Sequence, residues 1–365
     1  MAKIVIDARE SGTSTGRYVD KLVEYLQGLK PGFEIIVLTK TAQVDYLKRV
    51  APDFKIVESN FKEFTFAEQI GFLRQLRGLK ANLVHFTMPQ QPVLYHGKTV
   101  TNIHDLTTTR FRNPAKNQLV FSIKQQIYKW LIRRVTKKSR KIITISDFVK
   151  RDVAQYTKIR PDKITVTYLA ADKITNKAEP LSELNGKTFI IYVGRPQPHK
   201  NLERLIEALA ILIQARPELK LVLVGRKDSL YERLEKFVSR KNLTNQVIFT
   251  GSVSEGQLRW LYENTAAYVF PSLSEGFGLP GLEAMVHGAP VVSSNATCLP
   301  EIYGDAAHYF DPKDIADMAS KINQVLDDTK LKLELIKAGQ EQARRYSWRK
   351  MAEQTKAVYE EVLDK

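Results

Sequence analysis

The feature that most constrains this chain is a doubled alternation. Short apolar runs of strand length are separated by amphipathic stretches of 10–20 residues, and the series occurs twice. Parallel strands need long crossovers, usually helical, so this pattern specifies βα units rather than hairpins or a bundle. The first series predicts strands at Lys3–Asp7, Glu34–Leu38, Leu83–Phe86, Thr99–Ile103 and Lys141–Ile145, with helices at Arg17–Leu29, Phe66–Arg77 and Gln118–Lys138. The second predicts strands at Phe189–Val193, Leu219–Val224, Val247–Thr250, Ala267–Phe270 and Pro290–Ser293. Helices fill its gaps at Leu202–Ala215, Ser229–Arg240, Glu255–Asn264 and Pro280–His287. The chain closes on helical patterns at Asp314–Leu326, Lys330–Arg345 and Trp348–Leu363.

The polar stretch Ala171–Lys187 separates the two series. The expected organisation is a first domain over 1–172, a linker over 173–187, a second domain over 188–344 and a final helix over 345–365. Both domains are doubly wound α/β units with a cleft between them, and ligands in such sheets sit beyond the carboxyl ends of the strands. The loops that follow strands therefore carry the candidate chemistry.

The loop after Phe189–Val193 reads Gly194-Arg195-Pro196-Gln197-Pro198-His199-Lys200-Asn201. An Arg fork and a Lys point charge stand five positions apart, and Asn201 is placed to cap the helix behind them. Cations beside a helix N-terminus suit a diphosphate, although two surface cations on a loop would read the same way. The loop after Ala267–Phe270 runs from Glu275 through Gly276, Phe277, Gly278 and Leu279 to Glu283. Carboxylates accept from vicinal sugar hydroxyls, and glycines let backbone N–H groups approach a ligand closely. Alone, Glu275 is a solvated loop acid and Glu283 a helix-terminus charge. Together with the Arg–Lys pair on another post-strand loop, they form a constellation.

That constellation resembles the retaining GT-B glycosyltransferases of family 4 (glycosyltransferase group 1). Glu275 and Glu283 match the two glutamates of that family, with seven residues between them. Other stretches agree in order: Leu223-Val224-Gly225, Phe249-Thr250-Gly251, Leu299-Pro300-Glu301 and Tyr346-Ser347-Trp348. The resemblance covers nearly the whole chain and is most specific between roughly 190 and 312. It implies two Rossmann-like domains facing across a cleft, with the last helix crossing back to the first domain.

It also implies roles. Glu283 would bind the donor ribose, Glu275 would contact the transferred sugar, and Arg195 and Lys200 would neutralise the departing diphosphate. Gly194 and the backbone near Gly251 and Val253 would also meet the donor, the latter at the nucleobase. In the first half, Ser11-Gly12-Thr13-Ser14-Thr15-Gly16-Arg17-Tyr18 resembles the loop facing the donor phosphates, which brings in Gly12 and Gly16. His104, after Thr99–Ile103, resembles the histidine of the sugar site, while Asp105 reads as loop support. Ser146-Asp147 reads equally as a familial motif and as a helix N-cap.

The implied reaction is hexosyl transfer from a nucleotide-diphosphate sugar to a glycan or lipid-linked hydroxyl, with retention. No Asp-x-Asp occurs, and the six histidines and one cysteine show no metal-ligand spacing, so no metal or other cofactor is expected. A nucleotide-sugar epimerase or sugar phosphorylase on the same scaffold remains open. A dehydrogenase is disfavoured because no G-x-G-x-x-G follows the first strand of either half.

Charge narrows the partners. The net charge is +16, and residues 110–173 hold 17 Lys and Arg against 4 Asp and Glu. Anionic lipid, phosphorylated substrate, nucleic acid or plain solvation would each suit such a surface. A non-catalytic nucleic-acid-binding protein is the less favoured alternative, suggested by charge only; no nucleic-acid motif accompanies it, so nucleic acid is not expected. In Gln118–Lys138 the expected core stripe is Leu119, Ile123, Ile127, Trp130 and Leu131, with Phe121, Tyr128 and Ile132 opposite, bordered by Lys124 and Lys129. That second stripe could rest on an anionic membrane or pack beneath a neighbouring element. Charges at Lys3, Asp7 and Arg9, a lone Cys298, and no apolar run of membrane-spanning length point to the cytoplasm, with peripheral placement on the inner membrane face possible.

Overall fold

The computed structural model describes residues 1–13, 15–112 and 117–364. Ser14 of the glycine-bearing loop and residues 113–116 of the basic segment lie outside the described residues. Contacts divide the chain into two units. One holds 1–109, 122–169 and 347–365; the other holds 110–121 and 170–346.

The first unit is built on a parallel sheet of β1 (Lys3–Asp7), β2 (Glu34–Thr39), β3 (Lys55–Glu58), β4 (Leu83–Phe86), β5 (Thr99–Ile103), β6 (Lys141–Thr144) and β7 (Ile164–Val166), in the order β3-β2-β1-β4-β5-β6-β7. The central strands are almost wholly buried, as expected of a sheet covered on both faces. Val5, Ile36, Leu38, Val84 and Phe86 pack with Phe72 and Leu76 from the segment after β3. Ile103, Ile142 and Ile164 pack with Tyr128, Ile132, Val149 and Val153.

This second cluster reverses one expectation. In the helix Gln118–Lys138, Tyr128 and Ile132 face the core, whereas Leu119, Ile123, Ile127 and Trp130 are exposed; Leu131 is buried as expected. Both faces carry apolar residues, so periodicity located the helix without deciding which face turns inward. The helix predicted at Phe66–Arg77 is a π turn over Glu68–Phe72 followed by Leu73–Gly78. The π turn contains the buried Glu68, which pairs with Arg9 at 3.1 Å. Arg9 also binds Asp7 at 2.8 Å and lies 3.9 Å from the centroid of the Phe72 ring. Burial alone would lower the Arg9 pKa, but the two carboxylates outweigh it and raise it.

The final helix, Trp348–Asp364, packs against Arg17–Leu29 in this same unit. Tyr359 from it lies 2.6 Å from Nδ1 of His85, whose Nε2 is 2.7 Å from Oδ1 of Asn102.

The second unit has β8 (Phe189–Val193), β9 (Lys220–Val224), β10 (Val247–Gly251), β11 (Ala267–Phe270), β12 (Val291–Ser294) and β13 (Ala307–Phe310), all parallel, ordered β10-β9-β8-β11-β12-β13. Strand order therefore reverses between β8 and β11, and in the first unit between β1 and β4. At such switch points the following loops run in opposite directions and open a crevice.

Candidate functional site

In the second unit the reversal falls between the two loops singled out by sequence, because β8 and β11 are neighbours. The loops are tied together. Leu273 N–H donates to His199 O at 2.7 Å, and Asn201 Nδ2 donates to Pro271 O at 3.0 Å and Pro312 O at 2.7 Å. Asn201 is thus a brace rather than the expected side-chain cap; it adopts φ 61°, and its side chain makes no cap bond. Short polar side chains tolerate this left-handed backbone.

Lys200 Nζ donates to Glu275 Oε1 at 2.6 Å, with 20% and 11% of the two side chains exposed. The sequence-predicted cation and carboxylate are therefore partners, joined across the switch point. Arg195 instead pairs with Asp228 at 2.5 Å and is 48% exposed. Asp228 caps the helix Ser229–Arg240 through the amides of Leu230 and Tyr231. Burial alone would raise the Asp228 pKa, but Arg195 and those amides outweigh it and hold the carboxyl below its usual range.

The glycines have steric reasons. A Cβ on Gly225 would lie 2.5 Å from Gly194 O, and Gly194 itself has φ +146°. Gly278, at φ +89°, caps the helix Leu279–Val286, and its carbonyl accepts from the Tyr303 hydroxyl at 2.5 Å. Leu279 and Glu283 are half-buried on that helix, and Gly276 is buried. Phe277 turns its ring into the core against Tyr346, so only its backbone can serve a ligand. Gly251 ends the edge strand β10, its N–H donating to the Tyr231 hydroxyl at 2.8 Å; Val253 follows it, half-buried.

Sequence reasoning missed Asp228, Thr297 and Tyr303. The Thr297 hydroxyl accepts from Glu275 N–H at 3.1 Å, and Cys298 Sγ reaches Glu275 O at 3.3 Å. Thr297 has φ 59°, a strained conformation for a β-branched residue. The available signal was position: Thr297 and Cys298 directly precede the Leu299-Pro300-Glu301 stretch.

The first unit has its own cluster at the β1/β4 reversal. His104 Nε2 is 2.9 Å from Thr87 O, and Thr87 Oγ1 donates to Asp7 O at 2.7 Å. A carbonyl can only accept, so Nε2 carries the proton and a neutral ring presents Nδ1 as an acceptor. Burial lowers the His104 pKa. The Tyr18 ring meets it edge-on at 5.1 Å. Asp105 accepts from Thr107 N–H at 2.7 Å and supports its loop. Ser146 accepts from Val149 N–H at 3.2 Å, which makes it a helix cap.

The loop with Gly12 and Gly16 is pinned by Asp20, which accepts from Ser11 Oγ at 2.5 Å and Gly12 N at 3.1 Å. Gly16 precedes the helix, and a Cβ there would collide with Glu10 O at 1.8 Å.

Family models match this chain in two adjoining blocks. "Glycosyltransferase Family 4" covers 15–173 and "Glycosyl transferases group 1" covers 173–342. The chain belongs to the family 4, group 1 glycosyltransferases. This glycosyltransferase is 26% identical to O-antigen chain mannosyltransferase B of Escherichia coli, over 95% of this chain and 96% of that one. It is 34% identical to the E. coli serotype-specific mannosyltransferase WbdA, over 57% of this chain but only 27% of WbdA.

Among solved structures, a sucrose-phosphate synthase from Thermosynechococcus elongatus matches with TM-score 0.78 at 18% identity, covering 99% of both chains. The Anabaena protein HepE in complex with UDP-glucose matches with TM-score 0.75 at 18% identity, covering 99% of this chain and 100% of that one. These likenesses give the glycosyltransferase its fold, the two-sheet GT-B architecture. No helix among its described residues is long and apolar enough to cross a membrane.

Proposed function

We propose that this glycosyltransferase moves a hexosyl group, with mannosyl favoured, from a nucleotide-diphosphate sugar to a hydroxyl of a glycan or lipid-linked acceptor. The observation that carries the proposal is the Lys200–Glu275 pair at the β8/β11 reversal, with Arg195 on the same loop and Glu283 on the helix behind Glu275. The mannosyl preference comes from two relatives described as mannosyltransferases.

In this reading Glu283 holds the ribose and Glu275 the sugar hydroxyls. Lys200 and Arg195 take up charge as the bond from the anomeric carbon to the diphosphate oxygen breaks. Arg195 can leave Asp228 at little cost, because an exposed ion pair contributes only about 0–1 kcal/mol. His104 Nδ1 accepts from a sugar hydroxyl, and the backbone near Gly251 and Val253 meets the base. The acceptor oxygen attacks on the face the diphosphate leaves, so configuration is retained, and its proton passes to a diphosphate oxygen. The cations replace a metal, so turnover should survive EDTA. The basic 110–173 segment brings the enzyme to an anionic membrane, with the inner face of the cytoplasmic membrane as its place of work.

Calorimetric titration with GDP-mannose, UDP-glucose and UDP-N-acetylglucosamine tests the donor. One should bind, and Glu283→Ala should weaken it. If none binds and Glu283→Ala changes nothing, the reading fails. Isomerisation of donor without acceptor would favour an epimerase instead, and phosphate-dependent turnover a phosphorylase.

A further inference from the structure

The outward face of the helix Gln118–Lys138 changes character along its length. Ile123, Ile127 and Trp130 are 56%, 50% and 52% exposed, although the opposite face of the same helix is core. One to two turns further on, the same face carries Arg133, Arg134 and Lys137. At 1.5 Å per residue, the apolar segment extends for roughly 10 Å and the cationic one for roughly 6 Å. The cationic end, with Trp130, Lys138 and His96 of the first unit, lines a cavity of about 500 Å³ whose lining includes no acidic residue. Lys138 is anchored there by donating to Val93 O at 3.0 Å.

Three exposed apolar side chains at helical spacing are costly in water, and four clustered cations repel one another unless an anion joins them. A partner must therefore offer hydrocarbon and negative charge about one helical turn apart. The helix contains no Asp or Glu, so a second copy of this surface would set cations against cations or bury them unpaired. Nucleic acid would satisfy the cations and leave the apolar segment in water.

We propose that this face docks on an anionic phospholipid bilayer, with lipid phosphates in the basic cavity and Ile123, Ile127 and Trp130 in the adjoining acyl region. The inference rests on the membrane encounter proposed above, and not on the donor chemistry. It moves the contact to the stripe that the sequence had assigned to the core.

Vesicle flotation tests it, using phosphatidylcholine alone and phosphatidylcholine mixed with phosphatidylglycerol. The protein should float with the mixed vesicles and much less with the neutral ones. Arg133→Gln/Lys137→Gln should weaken partitioning about thirtyfold, two surface cations contributing about 1 kcal/mol each. Ile123→Ser/Ile127→Ser should weaken it at least about tenfold, through lost apolar burial. Brominated lipid should quench Trp130 fluorescence, and Trp130→Phe should abolish that quenching.

Neither double variant touches the proposed donor site, so donor affinity by calorimetry should be unchanged and reports that the variants fold. Equal flotation with both vesicle types would overturn the proposal, as would variants that float like the parent. It would equally fall if the isoleucine variant abolished self-association instead of vesicle binding, or if nucleic acid bound without regard to those isoleucines. Vesicle binding without donor binding would leave docking intact and remove the donor reading.

Discussion

Lys200→Met separates two roles that the ion pair with Glu275 combines. Removing the ammonium strands a carboxylate whose side chain is 11% exposed. Breaking a fully buried pair costs about 3–5 kcal/mol; partial solvent access here reduces that to about 2–3 kcal/mol. In the proposed reaction the same change also removes a charge from the departing diphosphate, and losing one such electrostatic contact should lower kcat on the order of 10²- to 10³-fold. The double variant Lys200→Met/Glu275→Gln distinguishes the effects. It leaves no unpaired charge, so thermal stability should recover most of the loss. The transfer rate should not recover, because the diphosphate still lacks its cation. Differential scanning calorimetry and steady-state sugar transfer on the parent, both singles and the double provide the cycle. If turnover recovers with stability, Lys200 serves only to hold Glu275, and its part in the chemistry is refuted.

Gly281→Ala should destabilise by about 1–3 kcal/mol and weaken donor binding, because its Cβ would sit 2.2 Å from the buried Tyr303 hydroxyl that holds Gly278. Gly28→Ala meets nothing within 4 Å in the helix Arg17–Leu29, and should stabilise by about 0.5–1 kcal/mol in the same thermal scans. His85 titrates near pH 6.5 unfolded, while burial, against its bond to Asn102, lowers it to about 4 in the fold. Between those values the unfolded chain binds the extra proton, so stability should fall by roughly 3 kcal/mol as pH drops from 6.5 to 4, and His85→Gln should flatten that slope in thermal midpoints. Its lowered pKa keeps His104 neutral, so the acid limb of a pH–rate profile should lie below pH 6.5, where a limb above it would exclude the acceptor role.

Much of this architecture is legible from periodicity because central parallel strands are buried on both sides and leave short runs without Lys, Arg or Glu between their ends, as in Leu83–Phe86 and Thr99–Ile103. The strands it misses, β3, β7 and β13, are all at sheet edges. Lys55–Glu58, for example, has only Ile56 and Val57 between two exposed charged ends, too short an apolar run to announce a strand. The helix Gln118–Lys138 shows a different limit. Its extent follows from the residues, but its inward face depends on which neighbours arrive, and Val149, Val153 and Ile164 meet Tyr128 and Ile132.

At the site, spacing indicated Glu275 and Lys200 separately, yet nothing over 75 positions of chain announces that they touch. Asp228 was invisible for the same reason, standing 33 positions from Arg195 and resembling any helix cap. Asn201 read as a cap because residue type and place agreed. The left-handed backbone that makes it a brace instead is a property of the tied loops, not of the residue.

The final helix has a consequence for how the protein is made. Residues 347–365 complete the first unit, while most of the second is the continuous segment 170–346. On a ribosome, which releases the chain from its N-terminus, the sheet of the second unit can therefore close while the unit begun first still lacks Tyr359. Until then His85 and the inner face of Arg17–Leu29 await their cover, which makes that surface the natural client of a holding chaperone. A nascent chain stalled before residue 347 should expose it, and emergence of residues 347–365 should cover it.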